Sequence, residues 1–143
     1  MLDGHKIEVC ILLGFSIDEY HQVNSSSRSE IEDLRDRGLL DSTLVVLVGE
    51  FGRTPKISKG AKRIGRDHWP NCYSAMLAGG GIRGGSVYGE SDKQAAYVKS
   101  NPVTLEDFTA TLFAAMNIDP ASRLSRDGFT LPASSGNPIE ALL

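Results

Sequence analysis

The sequence has few of the features that mark small cross-linked proteins or membrane proteins. Two cysteines, Cys10 and Cys72, are too few and too far apart in 143 residues to indicate a disulfide framework or a zinc ribbon. The longest apolar stretch near the start, residues 9–15, is well short of the ~20 residues that a membrane-spanning helix needs. It also lacks a basic start and a small-residue cleavage site. We therefore expect no signal peptide and no membrane span, and the cellular location stays open.

An excess of positive charge is also missing. Lysine and arginine number 15 against 18 acidic residues, which makes the net charge −3 at pH 7. Proteins that are held to nucleic acid or to a membrane mainly by charge are normally basic. We therefore expect neither as a partner. The length suits one domain, and 41% hydrophobic with 23% charged residues is typical of a globular protein.

Three segments are predicted to be strands. Residues 43–48 (TLVVLV) are the clearest, and they are apolar on both faces, as in a central strand of a parallel sheet. Shorter apolar runs at 7–15 and 74–78 are weaker candidates. The glycine cluster at 79–85 matches no phosphate-binding motif, so a tight turn after the third strand is the favoured interpretation over a phosphate cradle.

Two segments are predicted to be helices. Ser27 and Glu30 have capping-box spacing, and Gly38 suits the left-handed position after a last turn, which predicts a helix that starts at Ser27 and ends before Gly38. Thr104 begins a second such pattern, with an apolar stripe that predicts a helix over 104–116. Helices and apolar strands in this order predict an α/β fold with a mostly parallel sheet, covered by an irregular tail from residue 122. Ligands of such sheets lie beyond the carboxyl ends of the strands, so function is expected just after Val48.

Residues 49–55 (GEFGRTP) follow that strand directly. The Glu50 carboxylate can bind a cation or act as a base. The Arg53 guanidinium has a planar fork that suits a phosphate, sulfate or carboxylate group. The alternative is an ordinary ion pair between Glu50 and Arg53 at the end of a strand.

The predicted loop at 49–70 is long and basic. Six positive charges occur from Arg53 to Arg66 with no acidic residue between them. Such a bias can recruit an anionic substrate, although a solvated loop is the simpler interpretation. The loop ends in GRDHWP (65–70), where His68 can bind a metal or transfer a proton and Asp67 can ligate a metal or orient the histidine. A purely structural role for His68 is the alternative.

These segments resemble a known family. LRDRGLLDSTLVVLVGEFGRTP (34–55), GRDHWP and LAGGGIRGG (77–85) closely resemble the bacterial domain-of-unknown-function 1501 family, over roughly residues 30–143. That family is similar to the sulfatase and alkaline phosphatase superfamily. The resemblance implies a partial alkaline-phosphatase-like, three-layer α/β fold with a mostly parallel sheet, and an activity on sulfate or phosphate esters.

The resemblance also implies roles for individual residues. Glu50 takes the place of a metal-binding aspartate and His68 that of a later metal histidine, with zinc, calcium or manganese as the divalent metal. Arg53 and Asp67 are then the catalytic candidates. Arg53, with Arg66 as a second candidate, neutralises the oxyanion, and Asp67 orients His68 or adds a ligand. Phe51 replaces a second ligand and cannot bind a metal, which favours a one-metal or degenerate site.

The chain departs from the superfamily in its length. Residues 1–26 match poorly, residues 27–143 correspond to the C-terminal part of a sulfatase-like domain, and no residue matches the superfamily nucleophile. We therefore expect an incomplete fold that lacks the nucleophile half. The expected partner is a sulfated, phosphorylated or other anionic small molecule. The alternative is a non-catalytic remnant that still binds an anion or a metal. Exposed sheet edges in an incomplete fold predict self-association.

Overall fold

A computed structural model describes residues 9–11, 25–60, 63–126 and 129–143 of the chain. These residues form two α-helices, two 3₁₀ turns (Leu40–Ser42 and Glu140–Leu142) and short strands. The helices are α1 (Ser25–Asp36) and α2 (Leu105–Ala115). The strands are β1 (Val9–Ile11), β2 (Val45–Val48), β3 (Gly52–Arg53), β4 (Ser58–Gly60), β5 (Arg63–Gly65), β6 (His68–Trp69), β7 (Tyr73–Ala78), β8 (Glu90–Ser91), β9 (Val98–Ser100), β10 (Arg123–Arg126) and β11 (Phe129–Pro132).

Both predicted helices are confirmed. Helix α1 begins two residues earlier than predicted, at Ser25, and the chain leaves it through Gly38 at a φ of 67°. Helix α2 begins after Thr104, whose hydroxyl accepts a hydrogen bond of 3.0 Å from the Asp107 amide, as the spacing predicted. Neither helix in the described part of the chain is long and apolar enough to cross a membrane.

The largest described sheet has three strands in the order β1-β7-β2. Strand β1 runs parallel to β7, whereas β2 pairs with β7 in the antiparallel direction, with Val45 opposite Ala78. The other described sheets are antiparallel pairs: β3 with β6, β4 with β5, β8 with β9, and β10 with β11. The prediction of a mostly parallel sheet in a three-layer, alkaline-phosphatase-like fold is therefore wrong for the described chain. Strand direction follows from long-range connections, which local apolar patterns do not encode.

Strand β2 exists where the sequence predicted it, but it is neither central nor buried. Within the described sheet it stands at one end of the strand order, and β7 takes the central place. Val46, Leu47 and Val48 keep 38%, 44% and 47% of their surface exposed. An uncharged strand that is apolar on both faces is the usual signature of a buried strand. Here that apolar surface remains open to solvent.

The core lies between β7 and the C-terminal part of the chain. Its buried cluster consists of Ala75, Leu77, Val103, Phe108, Ile139 and Leu142. The tail is therefore more than the irregular coat that the sequence predicted, because it supplies two members of the cluster and the β10–β11 hairpin. A buried hydroxyl ties it to α2: Thr111 donates to the Asp107 carbonyl at 2.7 Å and accepts from the Ile139 amide at 3.0 Å.

The segment predicted as a loop at 49–70 is largely an antiparallel arm. Strands β3 and β6 pair at its base, and β4 and β5 pair farther along it. The Thr54 amide continues the ladder by donating to the Asp67 carbonyl at 2.9 Å. We call residues 52–69 the basic arm; residues 61–62, and with them Lys62, lie outside the described structure. The arm was missed because its strands are polar and short, without apolar alternation.

The exposed position of β2 at the edge of the described sheet leads to a first testable prediction. An exposed, uncharged apolar strand at a sheet edge is a template for pairing with another chain. We expect the protein to associate with a second copy of itself through β2, so that its sedimentation coefficient rises with concentration. Val46→Lys places a charge on that strand and should reduce the association.

Met116→Lys is the matched control for this expectation. Met116 is similarly exposed but follows α2 rather than lying on a strand. Concentration-independent sedimentation of the unchanged protein as a monomer would contradict the expectation, as would an equal effect of the two lysine substitutions.

Candidate functional site

The base of the basic arm is held against β7 by a close backbone approach. Gly52 lies opposite Trp69, and Arg53 lies opposite His68 in the β3–β6 ladder. A Cβ atom placed on Gly52 would lie 2.0 Å from the Cys72 carbonyl oxygen and 3.0 Å from that of Trp69. Contacts this short do not occur for real side chains, so only glycine fits here. The glycine sets the distance between the arm and the start of β7.

An aromatic stack fixes the side chains at this base. The Phe51 ring lies 3.7 Å from the His68 ring, centroid to centroid, at an interplanar angle of 27°. The Arg53 Cζ atom lies 5.4 Å from the centroid of the Phe51 ring. A guanidinium near an aromatic ring is attracted by the ring quadrupole. Phe51, which cannot bind a metal, thus positions both His68 and Arg53.

Reciprocal hydrogen bonds join the two strands of the arm. Arg53 donates through Nη1 to the Arg66 carbonyl at 3.2 Å. Arg66 donates through Nε to the Thr54 carbonyl at 2.7 Å and through Nη2 to the Arg53 carbonyl at 3.1 Å. These acceptors are backbone carbonyls, which carry no formal negative charge to offset that of the guanidinium groups. The Nε and Nη2 groups of Arg53 donate to no described residue.

Both arginines line a cavity of about 540 Å³ beside the end of β2. Burial raises the pKa of the Tyr73 hydroxyl above its ordinary value of 10.0, so this group stays protonated at neutral pH and can donate a hydrogen bond. Four separate parts of the chain line the cavity: Gly49, Phe51, Gly52 and Arg53; Arg66; Cys72, Tyr73 and Ser74; and Val87, Gly89, Glu90, Ser91 and Ala95.

Neither arginine of the cavity has a carboxylate partner among the described residues. The ion pairs found there join Arg35 with Asp36, Arg37 with Asp33, and Lys99 with Glu90. The predicted alternative, an ion pair between Glu50 and Arg53, is therefore not formed. Glu90 lines the same cavity, but the Lys99 ammonium lies 2.9 Å from one of its carboxylate oxygens. The cavity thus presents two uncompensated guanidinium charges in a protein whose net charge is negative.

The structure gathers some of the predicted site residues and separates others. Arg53 and His68 are cross-strand partners, and Asp67 directly precedes His68. The Asp67 carboxylate, however, accepts a hydrogen bond from the Ser58 hydroxyl, on the side of the arm that faces a different cavity. Glu50 lies exposed in the turn after β2. The roles assigned to these residues stay predictions.

The predicted metal ligands do not form a complete ligand set in the described chain. No group of three or more histidine, cysteine, aspartate or glutamate side chains that is able to hold a metal occurs among the described residues. A catalytic zinc usually has three protein ligands. Glu50 and His68 alone do not meet that requirement.

Sequence reasoning found the arginines of the cavity but missed its other wall. Tyr73, Ser74, Glu90 and Ser91 contribute polar groups to the cavity from outside the GEFGRTP and GRDHWP motifs. They carry no local motif, and the close approach at Gly52 brings the start of β7 to the arm. The stacking role of Phe51 had one signal, an aromatic residue directly after Glu50 and two positions before Arg53. That signal does not tell a stacking platform from a core residue.

Comparison with known proteins agrees with the resemblance seen in the motifs. No curated protein and no solved structure matches the chain. A family model described as "Protein of unknown function (DUF1501)" matches residues 19–143, which include the whole basic arm, both helices and the C-terminal hairpin. The chain therefore belongs to the DUF1501 family.

Proposed function

We propose that this chain is a sulfatase-like protein whose basic arm binds the sulfate or phosphate group of an ester. The observation that carries the proposal is the pair of guanidinium groups, Arg53 and Arg66, that line one cavity without a carboxylate partner in the described chain. Tetrahedral oxyanions match the planar, multidentate donor geometry of arginine.

Arg53 is the group that contacts the anion in this proposal. Its Nη1 bond to the Arg66 carbonyl and its contact with Phe51 hold the guanidinium in place before a ligand binds. Little side-chain freedom is then lost on binding, which favours affinity. Arg66 contributes charge and braces β3, because its Nε and Nη2 groups already donate to the arm.

The remaining walls of the cavity suit the organic part of an ester. The Tyr73, Ser74 and Ser91 side chains carry hydroxyl groups, whereas Phe51, Val87 and Ala95 are apolar. These residues therefore provide groups for binding an ester. We assign no nucleophile among the described residues, and the divalent metal stays a prediction.

Replacing Arg53 by glutamine tests this function. We expect inorganic phosphate and inorganic sulfate to bind the unchanged protein, and Arg53→Gln to weaken that binding about tenfold or more, because a charge-assisted hydrogen bond is lost. The single tryptophan, Trp69, follows His68 directly and serves as the fluorescent reporter. Arg53→Lys keeps the charge but lacks the planar guanidinium group, so its anion affinity should lie between those of the unchanged protein and Arg53→Gln.

Arg37→Gln is the control for charge alone. It removes the same single charge at the end of α1, where Arg37 pairs with Asp33 at 3.1 Å. Phosphate affinity should be unchanged in this variant. Equal affinities in the unchanged protein and Arg53→Gln, or equal losses in Arg53→Gln and Arg37→Gln, would reject the proposed site. Release of nitrophenol from aryl sulfate and aryl phosphate esters would show turnover as well as binding.

A further inference from the structure

A second cavity, of about 660 Å³, lies along the same basic arm. It is lined by Thr54, Lys56, Ile57, Ser58, Lys59 and Asp67, none of which lines the first cavity. Residues that line the two cavities are nevertheless direct neighbours in the sequence. Thr54 follows Arg53 and Asp67 follows Arg66, so each strand of the arm passes from one cavity to the other within one residue.

The second cavity also carries unpaired positive charge. Lys56 and Lys59 make no ion pair with any described residue, and their ammonium groups donate no hydrogen bond there. The opposing charge is Asp67, whose carboxylate accepts a hydrogen bond from Ser58. Two lysines against one aspartate leave this cavity with a net positive charge.

Hydrogen bonds hold the two cavities at a fixed spacing. The Thr54 hydroxyl donates to the Lys56 carbonyl at 3.0 Å and accepts from the Asp67 amide at 3.0 Å. The Thr54 carbonyl accepts from Arg66 Nε at 2.7 Å. Thr54 is therefore hydrogen-bonded to Lys56 on its own side of the arm and to Arg66 and Asp67 across it. These bonds connect the segment that carries the lysines to the arginines of the first cavity.

We propose that the second cavity is a second anion subsite, so that the preferred ligand carries at least two sulfate or phosphate groups along one molecule. One group contacts Arg53 beside the positive charge of Arg66, and the next contacts Lys56 and Lys59. This inference rests on the proposed function, because it takes the first subsite as an anion site. It names the ligand class as oligoanionic esters rather than simple monoesters.

Linking two anionic groups makes the second contact intramolecular, which raises affinity without a change at the first subsite. We expect tripolyphosphate and a sulfated oligosaccharide to bind at least about tenfold more tightly than inorganic phosphate and inorganic sulfate, respectively. The double variant Lys56→Gln/Lys59→Gln should lose that gain and keep its affinity for the single anions. The phosphate and sulfate series, compared with each other, identify which ester chemistry the site prefers.

The matched control is Arg35→Gln/Arg37→Gln, which removes two positive charges in the last turn of α1 and directly after it; neither arginine lines either cavity. It should retain the gain for the oligoanions, and thermal unfolding by circular dichroism checks that every variant folds. Single-anion binding with no oligoanion gain, or an equal gain in the lysine variant, overturns this inference alone. Failure of inorganic phosphate and sulfate to bind at all overturns the proposed function, and this inference with it.

Discussion

Replacing Gly52 by alanine is expected to displace the basic arm from β7 and to abolish the proposed anion binding. The added Cβ would lie 2.0 Å from the Cys72 carbonyl oxygen and 3.1 Å from the Cys72 carbonyl carbon. Both are backbone atoms, which a side-chain rotation cannot move away. If the arm stays in place, we therefore expect the substitution to lower the free energy of unfolding by about 4 kcal/mol or more, which is large for a single substitution. If the arm moves instead, the first cavity opens and Arg53 loses its position.

Chemical denaturation and phosphate titration together distinguish these two responses. Gly65→Ala is the matched control, because Gly65 lies on the same arm and a Cβ atom there would meet nothing within 4 Å. That substitution should change the free energy of unfolding by less than about 1 kcal/mol. A Gly52→Ala protein with unchanged stability and unchanged phosphate affinity would show that the arm does not contact β7 as described.

The second large effect is expected in the core, on replacing Leu77 by alanine. Leu77 is 1% exposed, lies on the central strand β7 and belongs to the cluster that joins this strand to α2 and the C-terminal segment. Removing a buried leucine side chain eliminates apolar burial and leaves a cavity. The expected loss in the free energy of unfolding is about 2–5 kcal/mol. For a chain of this size such a loss is a large part of the total stability.

Leu131→Ala provides the comparison for this core substitution. Leu131 lies on the β10–β11 hairpin and is 71% exposed, so its truncation should change stability by no more than about 0.5 kcal/mol. Urea unfolding followed by circular dichroism measures both variants. Equal effects of the two substitutions would mean that the cluster around Leu77 is not the stabilising core of the chain.

Local signals in the sequence predicted individual elements well. The capping residue Thr104 and the left-handed glycine Gly38 define helix ends through interactions within one turn, and both lie where expected. The strand at 45–48 was also found, because an unbroken apolar run of branched residues has few other conformations available. The position of this strand in the sheet was not predicted correctly, since no local pattern shows which strands flank it.

The candidate site shows the same division. The motifs around Arg53 and His68 identified the residues that meet across β3 and β6, as well as the local excess of positive charge. They did not reveal that Phe51 stacks on His68. Nor did they reveal that the basic loop is an antiparallel arm, whose side chains line two separate cavities. Both features depend on cross-strand register, which pairs residues far apart in the chain.

The sequence by itself determined the membership in the DUF1501 family, the two helices, the apolar strand and the cationic character of residues 53–66. These properties follow from residue identity and from interactions over a few positions. The tertiary structure alone decided strand order and direction, the exposure of β2, and the meeting of Arg53 and Arg66 with the start of β7 at one cavity. The physical reason is that long-range backbone contacts, such as the approach of Gly52 to Cys72, choose among several arrangements that the same local patterns allow.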